Sequence, residues 1–267
     1  MLPNHDVPDG WPTPKRSARR VISAAFLTLI AAVIALAAVV VALAGEVLPA
    51  LAFAVGALLI GHVAGMSVAT LRQPRPASGP PSMGVTDEGE RGIAFPYARM
   101  PYYWLTATLG LFVVGAVGFA VVMAVSRTPR GWVLAVVAVL LAAFVTWFLA
   151  IVLRLAPGTI VLTPTGIYHR SLVLEHFVPW DAVVDVLARE GRTPWITVKA
   201  MPTSGMRERK HTGRLGTFES QFLPFMVART IWLGANALPA YRALKHFFDN
   251  PGERSKLGVL GQPAVDR

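Results

Sequence analysis

The residues able to do chemistry are few and widely spaced. His62 is the one ionisable side chain well inside a long apolar run, and such a group at membrane depth is costly enough to point to function. No Asp, Glu, Lys or Arg in the other apolar runs could form a proton relay with it. A neutral imidazole hydrogen-bonded to a neighbouring helix is the plainer expectation. His169 and His176 flank a β-rich segment with Glu175 adjacent, yet no third ligand follows at metal-site spacing. Asp181 and Asp185, if on a strand, share a face too far apart for a close carboxylate dyad and are expected to balance nearby arginines. There is no cysteine, which excludes thiol nucleophiles and cysteine-held zinc or iron–sulfur sites. No Walker loop, GxSxG, HExxH or GxGxxG occurs. The reading is a protein that is not an enzyme and that carries no metal or other cofactor.

The best functional lead is positive charge. Arg207, Arg209, Lys210, His211 and Arg214 lie in a Gly/Ser/Thr-rich stretch opposed only by Glu208, read as a basic loop. A basic residue near an anionic membrane face contributes on the order of 1 kcal/mol. Arg207, Arg209, Lys210 and Arg214 are therefore the candidate contacts to anionic lipid headgroups. Nucleic acid is not expected as a partner, because no helix-turn-helix, zinc spacing or aromatic platform accompanies the charge.

The elements that must position these residues are set by an unusual composition. Of 267 residues, 54% are apolar and only 15% charged, and the mean hydropathy is +0.52. Soluble domains carry about 25% charged residues, so this chain lacks the charge to cover a globule. Four apolar runs account for the deficit: about 21–44, 47–71, 103–125 and 132–153. Each is apolar on all sides and long enough for a ~30 Å hydrocarbon core. The first exceeds a signal-peptide core and runs directly into the second, so it reads as a retained span. Gly61 and Gly65 form a GxxxG face suited to close helix packing, within the bundle or in a homo-oligomer.

The net charge of +10 is distributed by topology. Lys15, Arg16, Arg19 and Arg20 precede the first span, and Arg72, Arg75, Arg91 and Arg99 lie between the second and third. The other two connections hold only Arg127 and Arg130. The positive-inside rule therefore places both termini in the cytoplasm of a multi-pass inner-membrane protein. Tyr102, Tyr103, Trp104 and Trp132 fall at span ends, as aromatic anchors do. Residues 1–20 read as a basic tail and 21–154 as a four-helix membrane region of two hairpins. The Pro/Gly/Ser-rich opening of 72–100 reads as a flexible cytoplasmic linker.

After Arg154 the pattern changes. Thr159 to Val173 reads as a hairpin about Pro164-Thr165-Gly166, with Gly166 expected at positive φ. Further strands are expected before Pro179-Trp180, after it, and at Trp195 to Lys199. Trp180 is expected in the core, its indole N–H needing a partner. Leu238 to Asn250 has helical spacing, with Leu238, Tyr241, Leu244 and Phe248 on one face. The order PGTIVLTPTGIYHR, then VPWDAVVDV, then FFDNPGERSKLG resembles bacterial pleckstrin-homology-like domains. It looks most like those attached to membrane spans in actinobacterial proteins. The match covers about 155–258, and 259–267 reads as a tail. The resemblance implies a curved β-sheet or small barrel closed by a C-terminal helix, with no catalytic motif. The expected role is non-enzymatic: a cytoplasmic PH-like module that contacts a protein or anionic lipid. The alternative is an accessory subunit of a transporter or of cell-envelope lipid machinery, with a membrane-protein partner.

Overall fold

The computed structural model describes residues 11, 18–71, 82–189, 194–213, 215 and 219–260. The chain divides into a helical unit, residues 15–72 and 100–154, and a sheet unit, residues 1–14, 73–99 and 155–267.

The helical unit holds α1 (Ala18–Leu43), α2 (Val47–Leu71), α3 (Arg99–Val125) and α4 (Pro129–Arg154). All four are long and apolar enough to cross a membrane. The third and fourth begin three or four residues before the apolar runs themselves, because helical hydrogen bonding extends past the apolar stretch into Arg99 and Pro129. Gly45 ends α1 at φ 87°, and the amides of Gly45 and Glu46 turn back onto the carbonyls of Ala42 and Val41. That left-handed residue is what lets α2 start almost at once. Small side chains are buried and large ones face out: Ala24, Ala64, Ala120, Ala135, Ala138 and Ala142 are inside, while Leu29, Leu36, Val136 and Leu140 are exposed. A water-soluble bundle has the reverse arrangement. Helices in lipid gain nothing by hiding leucine, and they associate through small residues.

The sheet unit is antiparallel throughout. Its strands are β1 (Ser82–Val85), β2 (Arg91–Pro96), β3 (Thr159–Leu162), β4 (Gly166–Arg170), β5 (Leu174–Pro179), β6 (Val183–Arg189), β7 (Trp195–Ala200), β8 (Arg207–Lys210) and β9 (Met226–Arg229). A six-stranded sheet runs in the order β1-β2-β3-β4-β5-β8, and a three-stranded sheet in the order β6-β7-β9. Three helices follow, α5 (Thr230–Leu233), α6 (Ala237–Asp249) and α7 (Lys256–Leu260). α6 packs against β6 and α7 against β2.

Two features differ from the sequence reading. The 72–100 connection is not only a linker: Ser82–Val85 and Arg91–Pro96 are strands, and β2 pairs with β3 from Ile93↔Leu162 to Pro96↔Thr159. The domain expected over 155–258 is therefore completed by residues from between the second and third helices. The driving force is burial of Ile93, Ala94, Phe95 and Tyr97, an apolar cluster too short to stand out beside the spans. Residues 72–81, and the tail from 261, lie outside the described residues. Secondly, the buried face of α6 is Ala240, Tyr241, Ala243, Leu244 and Phe247. Phe247, rather than Phe248, completes the stripe, since the helix buries positions three apart from Leu244.

Alternation sorts the six-stranded sheet into two buried rows. Ile93, Leu162, Ile167 and Val178 lie in register on one face. Ala94, Val161, Tyr168 and Phe177 lie in register on the other and form a core cluster of their own. A sheet buried on both sides needs something over each face.

Candidate functional site

The basic stretch is half strand. Arg207–Lys210 forms β8, the edge of the six-stranded sheet, paired with β5 through Phe177↔Arg207, His176↔Glu208, Glu175↔Arg209 and Leu174↔Lys210. The expected loop is thus confined to His211 and beyond, because strand pairing with β5 offers these four residues backbone partners that a loop would lack. Arg214 lies outside the described residues.

Pairing separates the basic side chains by role. Arg207 lies over the Phe177 ring at 4.2 Å and forms ion pairs with Asp87 at 3.3 Å and Glu88 at 3.0 Å. Its charge is committed within the unit. Arg209 is exposed and makes no ion pair among the described residues. Lys210 is exposed and among the described residues forms an ion pair with Glu208, at 3.3 Å on the surface. Glu175, the cross-strand neighbour of both Arg170 and Arg209, is mostly buried. It takes the Tyr168 hydroxyl proton as a hydrogen bond and lies 3.5 Å from His211. Burial, reinforced by Glu175, pushes the Tyr168 hydroxyl up to about 12, so Tyr168 stays a donor.

One cross-sheet row orders these groups. Pro96 pairs with Thr159, Thr159 with Arg170, Arg170 with Glu175 and Glu175 with Arg209. Pro96 stands three residues before Arg99, where α3 begins, and Thr159 five after Arg154, where α4 ends. The two crossings are locked together: the Tyr97 amide donates to the Gly158 carbonyl at 2.8 Å, and Arg170 donates to the Pro157 carbonyl at 3.0 Å. Arg209 therefore closes a cross-strand row whose other end is Pro96, and Lys210 follows it on β8.

His169 and His176 lie within the sheet as cross-strand neighbours, both buried. Burial holds His169 at about 3, with His176 adding to the effect. Burial likewise holds His176 at about 4, partly offset by the Glu208 carboxylate. His176 also lines a cleft of about 330 Å³ with Thr203, Met206, Glu208 and Pro224. No group of three or more potential metal ligands exists among the described residues. Asp185 pairs with Lys199 at 3.4 Å rather than with an arginine. The Trp180 indole donates to the Thr163 carbonyl at 2.9 Å. Gly166 is not at positive φ; it is required because a Cβ there would lie 2.5 Å from the Phe177 ring and 2.6 Å from the Val178 carbonyl oxygen.

In the helical unit, His62 Nδ1 donates to the Leu58 carbonyl of its own helix at 2.8 Å, not to a neighbouring one. A carbonyl only accepts, so the proton is on Nδ1. The ring packs edge-on against Trp104 at 5.3 Å and near Tyr103 at 6.2 Å. The two GxxxG glycines face different helices. A Cβ on Gly65 would strike the Trp104 ring at 2.5 Å, whereas one on Gly61 would meet the Ala31 methyl at 4.0 Å. Among the residues the sequence reading passed over are Asp87, Glu88, Tyr97 and Arg170.

No family model, no curated protein and no solved structure matches the chain.

Proposed function

We propose that the protein is a non-enzymatic, multi-pass inner-membrane protein whose sheet unit is a PH-like interaction module held at the cytoplasmic face, where Arg209 and Lys210 contact anionic headgroups. The observation that carries this reading is the cross-sheet row from Pro96 and Thr159 to Arg209. It puts Arg209, with Lys210 next in sequence, in the same cross-strand row as Pro96 and Thr159, which stand three residues before α3 and five after α4.

Topology agrees. Strands that share hydrogen bonds cannot lie on opposite sides of a bilayer. Because β2 precedes α3 and β3 follows α4, that hairpin returns to the side it left. Trp11, which precedes α1, packs on Tyr241 of α6 at 5.3 Å and so belongs to the same side. The excess of Lys and Arg on these segments makes that side the cytoplasm. Arg207 is not part of the headgroup contact, since Asp87 and Glu88 occupy it.

The test is hydrogen exchange on the full chain reconstituted in vesicles with and without anionic lipid. Anionic lipid is expected to slow exchange across β8, and Arg209→Gln with Lys210→Gln to abolish the difference. Equal exchange on neutral and anionic vesicles refutes the headgroup contact.

A further inference from the structure

We infer that β1 and the turn after it, residues 82–90, form a releasable strap across one face of the six-stranded sheet, latched by Arg207. β1 and β8 are the two edges of that sheet. Strands lie about 4.8 Å apart, so in a flat sheet these edges would be separated by roughly 24 Å. Yet Asp87 and Glu88, in the turn after β1, reach Arg207 on β8 at 3.3 and 3.0 Å. The sheet is therefore coiled until its edges meet, and the seam is closed by side chains.

What the strap covers is apolar. Val161, Tyr168, Phe177 and Ala94 form one buried row on this face. Gly84 makes the fold-over sterically feasible: a Cβ there would lie 2.6 Å from the Ala94 methyl and 3.1 Å from Val161. The turn tucks in Thr86, which is buried and receives the Glu90 amide on its hydroxyl. Glu90 in turn accepts hydrogen bonds from the Thr165 amide and hydroxyl, a second and smaller catch.

The strap is held more weakly than the rest of the sheet. β1 has four residues, mostly exposed, with pairing on one side only. The latch groups are each at least a third exposed, and exposed ion pairs are weak and screened by salt. β2, in contrast, is paired on both sides and stays. Release of the latch therefore uncovers the Val161–Tyr168–Phe177 row.

The chain contains no cysteine, which allows a direct test on the full protein in nanodiscs. Ala94→Cys places a thiol under the strap, and Ala228→Cys places one in the three-stranded sheet, where Ala228 is buried. Arg207→Gln, the pair Asp87→Asn with Glu88→Gln, and high salt should each speed thiol labelling at position 94 by roughly three- to tenfold, the scale of losing weak ion pairs. Position 228 should not change. Hydrogen exchange over 82–90 in the chain without added cysteine should rise in parallel. Unchanged labelling at 94 overturns the strap, as does equal acceleration at 228, which would mean general loosening. Acceleration by Arg207→Gln but not by the carboxylate pair also overturns it, since the Phe177 contact rather than the latch would then be responsible.

Discussion

The Tyr97 hydroxyl and His169 Nε2 lie 2.7 Å apart in a buried hydrogen bond that spans 72 positions of sequence. Tyr97 precedes α3 and His169 lies on β4, beyond α4, so this bond joins the two halves of the sheet unit across an inserted helical hairpin. Further contacts hold the connector around it. Asn236 donates to the Pro96 carbonyl, the Ala98 amide donates to the Trp232 carbonyl, and the Tyr97 ring stacks on Trp232.

A unit built from two segments cannot fold from one. Residues 155–267 alone leave β3 as an unpaired edge bearing Ile160, Val161 and Leu162, all fully buried in the intact sheet. Such an edge is an aggregation site. The expected outcome is that this fragment is insoluble or lacks cooperative thermal unfolding. Residues 82–98 joined by a flexible linker to 155–260 should unfold cooperatively, as followed by circular dichroism. Cooperative folding of the shorter fragment would refute the two-segment unit.

Removing the Tyr97 hydroxyl tests the bond itself. Tyr97→Phe keeps the ring stack on Trp232 and strands a buried imidazole nitrogen, a loss of about 1–3 kcal/mol. Hydrogen exchange in β4 should report it. Tyr102→Phe, which removes a hydroxyl bonded to the Val152 carbonyl inside the helical unit, should leave β4 exchange unchanged.

How far all this was legible in the sequence depended on range. The four spans and α6 are local patterns, readable because each periodic or apolar run declares itself within a few turns. The β3–β4 hairpin was readable for the same reason. β1 and β2 were not, since their partner lies across an entire helical hairpin and their own apolar stretch is short. The basic residues were visible by type, but their division was not. Arg207 and Arg209 are two positions apart and on the same face, and only the coiling of the sheet brings Asp87 and Glu88 to one and not to the other.

The paired histidines predict acid sensitivity. His169 at about 3 and His176 at about 4 both lie below the ~6.5 of a solvated imidazole. The unfolded chain therefore binds protons first as pH falls, and stability rises with pH through this window. It is full above about 6.5 and declines toward pH 4 by roughly 1.4 kcal/mol per unit for each histidine. Hydrogen exchange of β4 and β5 between pH 6 and about 4.5 should show this slope once corrected for intrinsic rates. His176→Gln should about halve it, and a slope unchanged by that substitution would remove the histidines as its cause.

The two glycines of α2 should respond very differently to the same substitution. At Gly65 the space for a Cβ is already filled by the Trp104 ring, with three ring atoms within 2.9 Å. At Gly61 the nearest atom is a methyl at ordinary contact distance. Gly65→Ala must displace an indole that also packs edge-on to His62, and overpacking of this kind costs about 1–3 kcal/mol. Gly61→Ala adds contact without displacement, and it removes the conformational freedom that glycine brings to a helix interior. Thermal unfolding of the full chain in detergent should therefore fall for Gly65→Ala and hold or rise for Gly61→Ala. Trp104→Ala should make Gly65→Ala harmless, because the atom it strikes would be gone. If the two substitutions remain additive, α2 and α3 do not meet at this pair and the GxxxG face serves another contact.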